Sequence, residues 1–267
     1  EDDFEVDEWI KTDIVLWDLF EIWQHRLLCW DSTNIDDVNK LMNGEKADMV
    51  FTDPPYNVNV KSATFWTTIL NDNLDNFNVF LNEVLNNIFI FWKWSKYICF
   101  DIREKSFIDE FYNRWMKSLI VWKKDIAQHH RENYWVKYEL IAYFEDWEFY
   151  WKDEENVWEV KSIQSAWSID DKWNSWFKWW NKWLTLHPTQ KPVAIPERAI
   201  KNSSKKDNIV LDLFWWSGST MVACHQLNRK CYMSELDPKY VQTIINRMIK
   251  LDSTLEIKRN WQPYLIG

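Results

Sequence analysis

The chain has 267 residues, 46% hydrophobic and 27% charged, with a formal net charge of −9 at pH 7. That is enough for one large core, or a core plus a small appended module, in an ordinary soluble globular protein. Apolar runs such as "IFIFWKW" (88–94) are broken by charge well short of the roughly 18 residues a membrane span needs, so no membrane partner is expected. The acidic balance argues mildly against nucleic acid, although a groove can be basic on an acidic body.

One count is abnormal. A chain of this length ordinarily holds about 19 glycines; this one has 3, against 22 tryptophans. Many tryptophans stand where a turn residue is expected, as in "LLCWDS" and "FKWWNKWL", which implies that many of these positions descend from glycine. Cys29, Cys99, Cys224 and Cys231 form no CxxC pair and have no histidine at zinc spacing, and the five histidines give no HExxH. A reduced, cytoplasmic protein without a metal site is expected, and no charged-then-apolar leader points to secretion.

The first 24 residues are acidic, only partly patterned, and read as an extension. Strand signals follow at "HRLLC" (25–29) and "ADMVFT" (47–52). "FTDPPYNV" (51–58) is the most informative stretch. Pro54 and Pro55 fix φ and remove two donors, so Pro54 presents a rigid carbonyl that no neighbouring amide can easily claim. Asp53 lies beside that carbonyl and Tyr56 adds a flat ring. An acceptor pair with a stacking face suits a planar group bearing an NH2; a proline-rich turn with a surface tyrosine is the plainer alternative.

Helices are expected at about 77–91 and 104–117, with strands at "KYICF" (96–100), "SLIVW" (118–122) and "YELIAYF" (138–144). From 145 to 186 the rhythm breaks into aperiodic Trp, Asp, Glu, Lys, Asn and Ser, which reads as an insertion. "LHPTQKPVAIPERAI" (186–200) opens a helix at 193–202. A strand "IVLDLF" (209–214), a loop with Gly218, a helix at 219–228 and a strand "CYMSEL" (231–236) come next. Asp237 caps the clearest helix, Pro238 fits its first turn, and Val241, Ile244, Ile245, Met248 and Ile249 repeat at helical spacing. Strands alternating with helices predict an α/β fold, a doubly wound and mostly parallel sheet with helices on both faces. A loop opening a helix at Gly218, with Glu235 on the next strand tip, is the layout of a nucleotide-type cofactor site.

Taken in order, "TDPPYN", the variable middle, "HPTQKP", "DLFxxSGST" and "ELDPKY" make the chain resemble the β group of amino-methylating DNA methyltransferases, over about residues 19 to 250. DPPY resembles the adenine-N6 members; the cytosine-N4 members more often carry serine first. The resemblance implies a Rossmann-like methyltransferase fold with S-adenosylmethionine as cofactor and double-stranded DNA as partner. It divides the chain into the extension 1–24, a catalytic half 25–144, a target-recognition insertion 145–186 and a cofactor-binding half 187–267. A homodimer is a further expectation, since family members often dimerise. Other readings are a cytosine-N4 enzyme, an impaired DNA-binding protein on the same scaffold, and an enzyme acting on RNA or a protein amide.

Carried over residue by residue, Asp53 and the Pro54 carbonyl accept hydrogen bonds from the target amine, with Pro55 holding the turn and Tyr56 stacking on the base. The base must leave the duplex to be reached. Phe214, Ser217, Gly218 and Ser219 line the methionine end of the cofactor, Glu235 takes the ribose hydroxyls, and Asp31 sits near the adenine end or caps a helix. Thr189, Lys191 and Pro192 close over the cofactor, and Asp53, Asp212 and Asp237 also lie within its reach. Where the family has glycine, this chain has Trp30, Trp215 and Trp216. Bulky residues resist such backbone, so cofactor binding is expected to be weak.

Overall fold

The computed structural model describes residues 10–57, 72–124, 129–131, 134–136, 138–145, 157–159, 191–214 and 217–264. Expected and observed strands agree closely: β2 is His25–Cys29, β3 Ala47–Thr52, β4 Trp92–Phe100, β5 Ser118–Lys123, β8 Tyr138–Glu145, β10 Ile209–Asp212 and β11 Lys230–Glu235. The described strands also include β1 Leu19–Ile22, the small pair β6 His129–Arg131 and β7 Tyr134–Val136, β9 Val157–Glu159, and β12 Ile257–Arg259 with β13 Gln262–Pro263. The main sheet runs β13-β12-β1-β2-β11-β10-β3-β4-β8-β5-β9. Its centre, β2-β11-β10-β3-β4, is parallel throughout, and β8 runs antiparallel between β4 and β5.

The parallel centre follows from the sequence. β3 and β10 are buried along their whole length, and a strand covered on both faces is a continuous apolar run. Alternate residues feed opposite cores, Met49 and Phe51 one layer and Val50 the other; a register shift between Ala47 and Met49 puts Ala47 with Val50. The helices are α1 Ile35–Met42, α2 Phe77–Ile90, α3 Lys105–Asn113, α4 Ala194–Ser203, α5 Ser219–Gln226 and α6 Pro238–Leu251. The first three supply Leu41, Leu81 and Phe107 to one core, and the last three supply Ile200, Val222 and Ile244 to the other. Each such side chain, fully buried, stabilises the fold by about 1.5–3 kcal/mol.

Within the expected extension 1–24, Leu19–Ile22 pairs with β2 and with β12. Of the insertion at 145–186, only β9 is described, and it joins the sheet edge alongside β5; the rest lies outside the described residues.

Tryptophan occupies left-handed backbone at Trp17 (φ 79°), Trp23 (53°), Trp115 (63°) and Trp261 (66°). A large L side chain resists this region, which glycine enters freely. Trp115 follows α3 in a Schellman closure: its N–H bonds to the Tyr112 carbonyl at 3.1 Å, and the Met116 N–H to the Phe111 carbonyl at 3.0 Å. That position is normally glycine, and it stops α3 at Asn113 rather than 117. Trp261 is the second residue of the two-residue turn between β12 and β13. With Asn260 (φ 51°) it adopts the double positive φ of an Asn-Gly type I′ hairpin.

Candidate active site

The site lies at the carboxyl ends of the central strands. β3 leads onward to β4, whereas β10 leads the other way to β11, so the strand order reverses between β3 and β10. Crevices at such reversals are where α/β sheets bind ligands. Val210 pairs with Met49 and Leu211 with Val50, and the Leu213 N–H donates to Thr52 Oγ1 at 3.2 Å. Two tips more than 150 residues apart in sequence are therefore bonded side by side. Across the sheet the tips carry Asp31 after β2, Glu235 at the end of β11, Asp212 and Phe214 at β10, and Asp53 after β3.

The tetrad loop is fixed from several directions. Tyr56 N–H donates to Asp72 Oδ1 at 3.1 Å. Asn57, in left-handed backbone at φ 56°, accepts from Leu74 N–H at 2.7 Å and donates to Glu104 Oε2 at 3.1 Å. Glu104 in turn caps α3. Asp53 is buried. Tyr56 Oη donates to its Oδ1 at 2.5 Å, and Lys191 Nζ donates to its Oδ2 and lies 3.1 Å from Tyr56 Oη. Burial raises the Asp53 carboxyl above its usual range, and Lys191 works against that rise. Burial opposes charge on Lys191 too, but Asp53 and Glu139 together push its ammonium above the ordinary lysine value. Burial, and then Asp53, lift the Tyr56 phenol well above its normal value, so it stays a neutral donor.

The Gly218 side is equally built. Gly218 (φ 76°) opens α5 in backbone that favours glycine, and a Cβ there would sit a tight 3.2 Å from the Ile244 side chain. Ser217 and Ser219 are buried. The Arg247 guanidinium, on the core-facing side of α6, donates to the Ser217 carbonyl and to Ser219 Oγ at 3.1 Å. Ser219 Oγ donates to the Lys191 carbonyl at 2.9 Å. Lys191 thus touches the cofactor loop through its backbone and the tetrad through its side chain. Phe214 packs edge-on to Phe80, and its N–H donates to Asp212 Oδ1 at 3.2 Å. Burial raises the Asp212 carboxyl well above its usual range.

Glu235 pairs in register with Cys29, so its tip adjoins Asp31, whose Oδ1 accepts from Thr33 N–H at 2.9 Å. The helix cap there is Asn34, not Asp31. Burial pushes the Glu235 carboxyl up to about 8. Its Oε1 accepts from Asp237 N–H at 2.9 Å, and Asp237 caps α6 through Lys239 N–H. Pro192 is described as half-buried beside the site. Thr189, Trp215 and Trp216 lie outside the described residues.

Three participants escape a reading of motifs. Glu139 on β8 receives the Lys124 ammonium and stands 3.2 Å from Lys191 Nζ; Arg247 braces the cofactor loop from behind. Each leaves the same trace in the sequence, a charge inside an apolar pattern: Glu139 in "YELIAYF", Lys124 closing a strand, Arg247 among the buried positions of α6. Among the described residues no three His, Cys, Asp or Glu side chains converge as metal ligands do, and no helix is long and apolar enough to cross a membrane.

A parallel sheet with the Asp53–Tyr56 turn and a glycine-opened helix on its adjoining central tips has the layout of a methyltransferase-type α/β domain. The sequence places it more closely: residues 47–247 match the DNA methylase family of N6 and N4 amino-methyltransferases, and the chain belongs to that family. It is 26% identical over 257 residues to the type II methyltransferase M.HpaI of Haemophilus parainfluenzae, covering 84% of this chain and 74% of that protein. To M.BglI of Bacillus subtilis it is 29% identical over 146 residues, 52% of this chain and 39% of the relative, so that match spans well under half of the relative's length. Its fold superposes on the crystal structure of the M1.HpyAVI–SAM complex with a TM-score of 0.54 at 23% identity, over 83% of this chain and 98% of that one.

Proposed function

We propose that the chain methylates the exocyclic N6 amino group of adenine in a specific sequence of double-stranded DNA, with S-adenosylmethionine as methyl donor. The observation that carries this reading is the bonded pair of strand tips, which sets the Asp53 acceptors beside the Gly218 loop. The residues suit the cofactor. The first-turn N–H groups of α5 have no acceptor within their own helix and suit a carboxylate, Ser217 and Ser219 border them, Glu235 suits the ribose hydroxyls, and Asp31 lies toward the adenine end. When bound, the cofactor supplies a methyl group made electrophilic by its sulfonium.

The chain's own residues do the rest. The adenine amino nitrogen is a poor nucleophile because its lone pair is delocalised into the ring. Hydrogen bonds from its two hydrogens to Asp53 and the Pro54 carbonyl favour a pyramidal nitrogen and localise that pair. Tyr56 holds the extruded base by its ring. This is positioning and transition-state stabilisation, with no covalent enzyme intermediate. DPPY supports adenine over cytosine. A homodimer is the assembly the family resemblance favours, and sedimentation tests it.

We also infer that Trp215 and Trp216 stand where the working cofactor loop carries glycine. The support is the behaviour of Trp115 and Trp261, which fill glycine positions of two ordinary turns, and of Trp23, which holds positive φ in the two-residue turn between β1 and β2. The chain as written then binds S-adenosylmethionine weakly, and Trp215→Gly with Trp216→Gly restores binding. Micromolar affinity of the unaltered chain in calorimetric titration would refute this. Methylation-sensitive sequencing of DNA from cells expressing the glycine form tests the function itself. It is expected to report N6-methyladenine in one short motif; modification at cytosine, or none, would overturn the assignment.

A further inference from the structure

Asp53, Lys191, Glu139 and Lys124 form one alternating chain of charge, joined Asp53–Lys191–Glu139–Lys124. Asp53, Lys191 and Lys124 are buried and Glu139 half-buried, so every member needs its neighbour. The four come from different elements: the β3 tip, the segment before α4, β8 and the end of β5. Asp53 has a conflict of duties. Both its oxygens are engaged, by Tyr56 and by Lys191, yet the proposed reaction needs it to accept from the target amine. Lys191 is already within 3.2 Å of a second carboxylate.

We propose that Glu139 is a positioning residue that shares Lys191 with Asp53. It takes the larger part of the ammonium when Asp53 turns to the substrate amine, and Lys124 keeps Glu139 neutralised when Lys191 leans back. This rests on the proposed methyl transfer for its purpose, but the sharing itself is a property of the protein alone. The geometry favours it over a purely structural ion pair. A structural pair needs one partner each, whereas here one ammonium spans two carboxylates and one of those holds a second cation.

The charged and titratable groups facing Asp53 are Lys191, Glu139, Tyr56, Cys99, Asp212 and Lys124. Glu139 contributes a like charge that raises Asp53, so its removal lowers the Asp53 titration. Carbon-13 NMR of the carboxyl groups in the full chain, with Glu139→Gln and Glu139→Asp, tests this without any cofactor. The Asp53 midpoint is expected to fall by about one unit in Glu139→Gln, a tenfold change, and to return most of the way in Glu139→Asp. A midpoint that stays put or rises overturns the sharing.

In methyl-transfer assays Glu139→Gln is expected to lower kcat about tenfold or more, leave S-adenosylmethionine affinity unchanged, and move the acid limb of the pH–rate profile downward. A fall in thermal stability with an unmoved acid limb would mean a structural role only. A chain that methylates nothing defeats the functional proposal, while the NMR titration still decides the sharing.

Discussion

Glu235 offers a test of the cofactor site that needs no DNA. Its carboxyl is buried at the β11 tip and titrates near 8 in the cofactor-free protein, because burial disfavours the ion. In the proposed site ribose hydroxyls donate to this carboxylate, so the bound state is the ionised one. At pH 7 ionising the group costs about 1.4 kcal/mol, and at pH 6 about 2.7 kcal/mol, which weakens binding roughly tenfold and a hundredfold. Affinity for S-adenosylmethionine therefore climbs from pH 6 to 8 and levels off above that, with one proton released per cofactor bound below pH 8. Calorimetric titration at pH 6, 7, 8 and 9, in two buffers of different ionisation enthalpy, measures both quantities. It is run on the Trp215→Gly, Trp216→Gly form beside the unaltered chain. Glu235→Gln removes the ionisation, so its pH dependence isolates that of every other group. The same slope in Glu235→Gln, or affinity that falls as pH rises, would refute the reasoning.

The remaining predictions concern the scaffold. Trp261→Gly restores Asn-Gly to a type I′ turn and should stabilise the fold by about 1 kcal/mol, read as a higher urea midpoint; a loss of stability would count against glycine at that turn. His25 is buried, its Nδ1 accepts from the Cys231 N–H at 3.0 Å, and its Nε2 lies 3.3 Å from His225 Nδ1. Burial, and then His225, hold it down to about 3, below the ordinary imidazole value of 6.5. A depressed pKa means stability that is complete above pH 6.5 and lost as the pH falls toward 3. Between pH 7 and 5 this amounts to about 2 kcal/mol, which should be missing from the pH dependence of His25→Gln. Equal acid sensitivity in the two proteins would contradict it.

Much of this fold is legible in the sequence because the central strands are covered on both faces. "ADMVFT" and "IVLD" are apolar without alternation, and both reappear as fully buried parallel strands. The α6 helix is equally plain, with Asp237 at its cap and Pro238 after it. Edge elements are not legible. β1, β12 and β13 are two to four residues long, too short to show a period; their hairpin turns carry Trp23 and Trp261 in place of the usual turn signal, and β1 also relies on β12 from the far end of the sequence. Helix α1 is short and is capped by Asn34, three residues beyond the acid that drew attention.

The site divides the same way. DPPY and Gly218 are visible because backbone geometry dictates those residue types. Lys191 is visible as a motif residue, but its motif gives no hint that its side chain turns to Asp53 and only its carbonyl to the cofactor loop. Glu139, Lys124 and Arg247 acquire meaning only when the sheet brings their elements together.

The most direct measurement is methyl transfer from labelled S-adenosylmethionine to duplex DNA by the Trp215→Gly, Trp216→Gly chain, with the product digested to nucleosides and identified by mass. Label is expected in N6-methyl-2′-deoxyadenosine alone, and it is expected to vanish with Asp53→Ala while that variant still binds cofactor. Label in cytosine, or transfer that survives loss of the Asp53 carboxylate, would contradict the account.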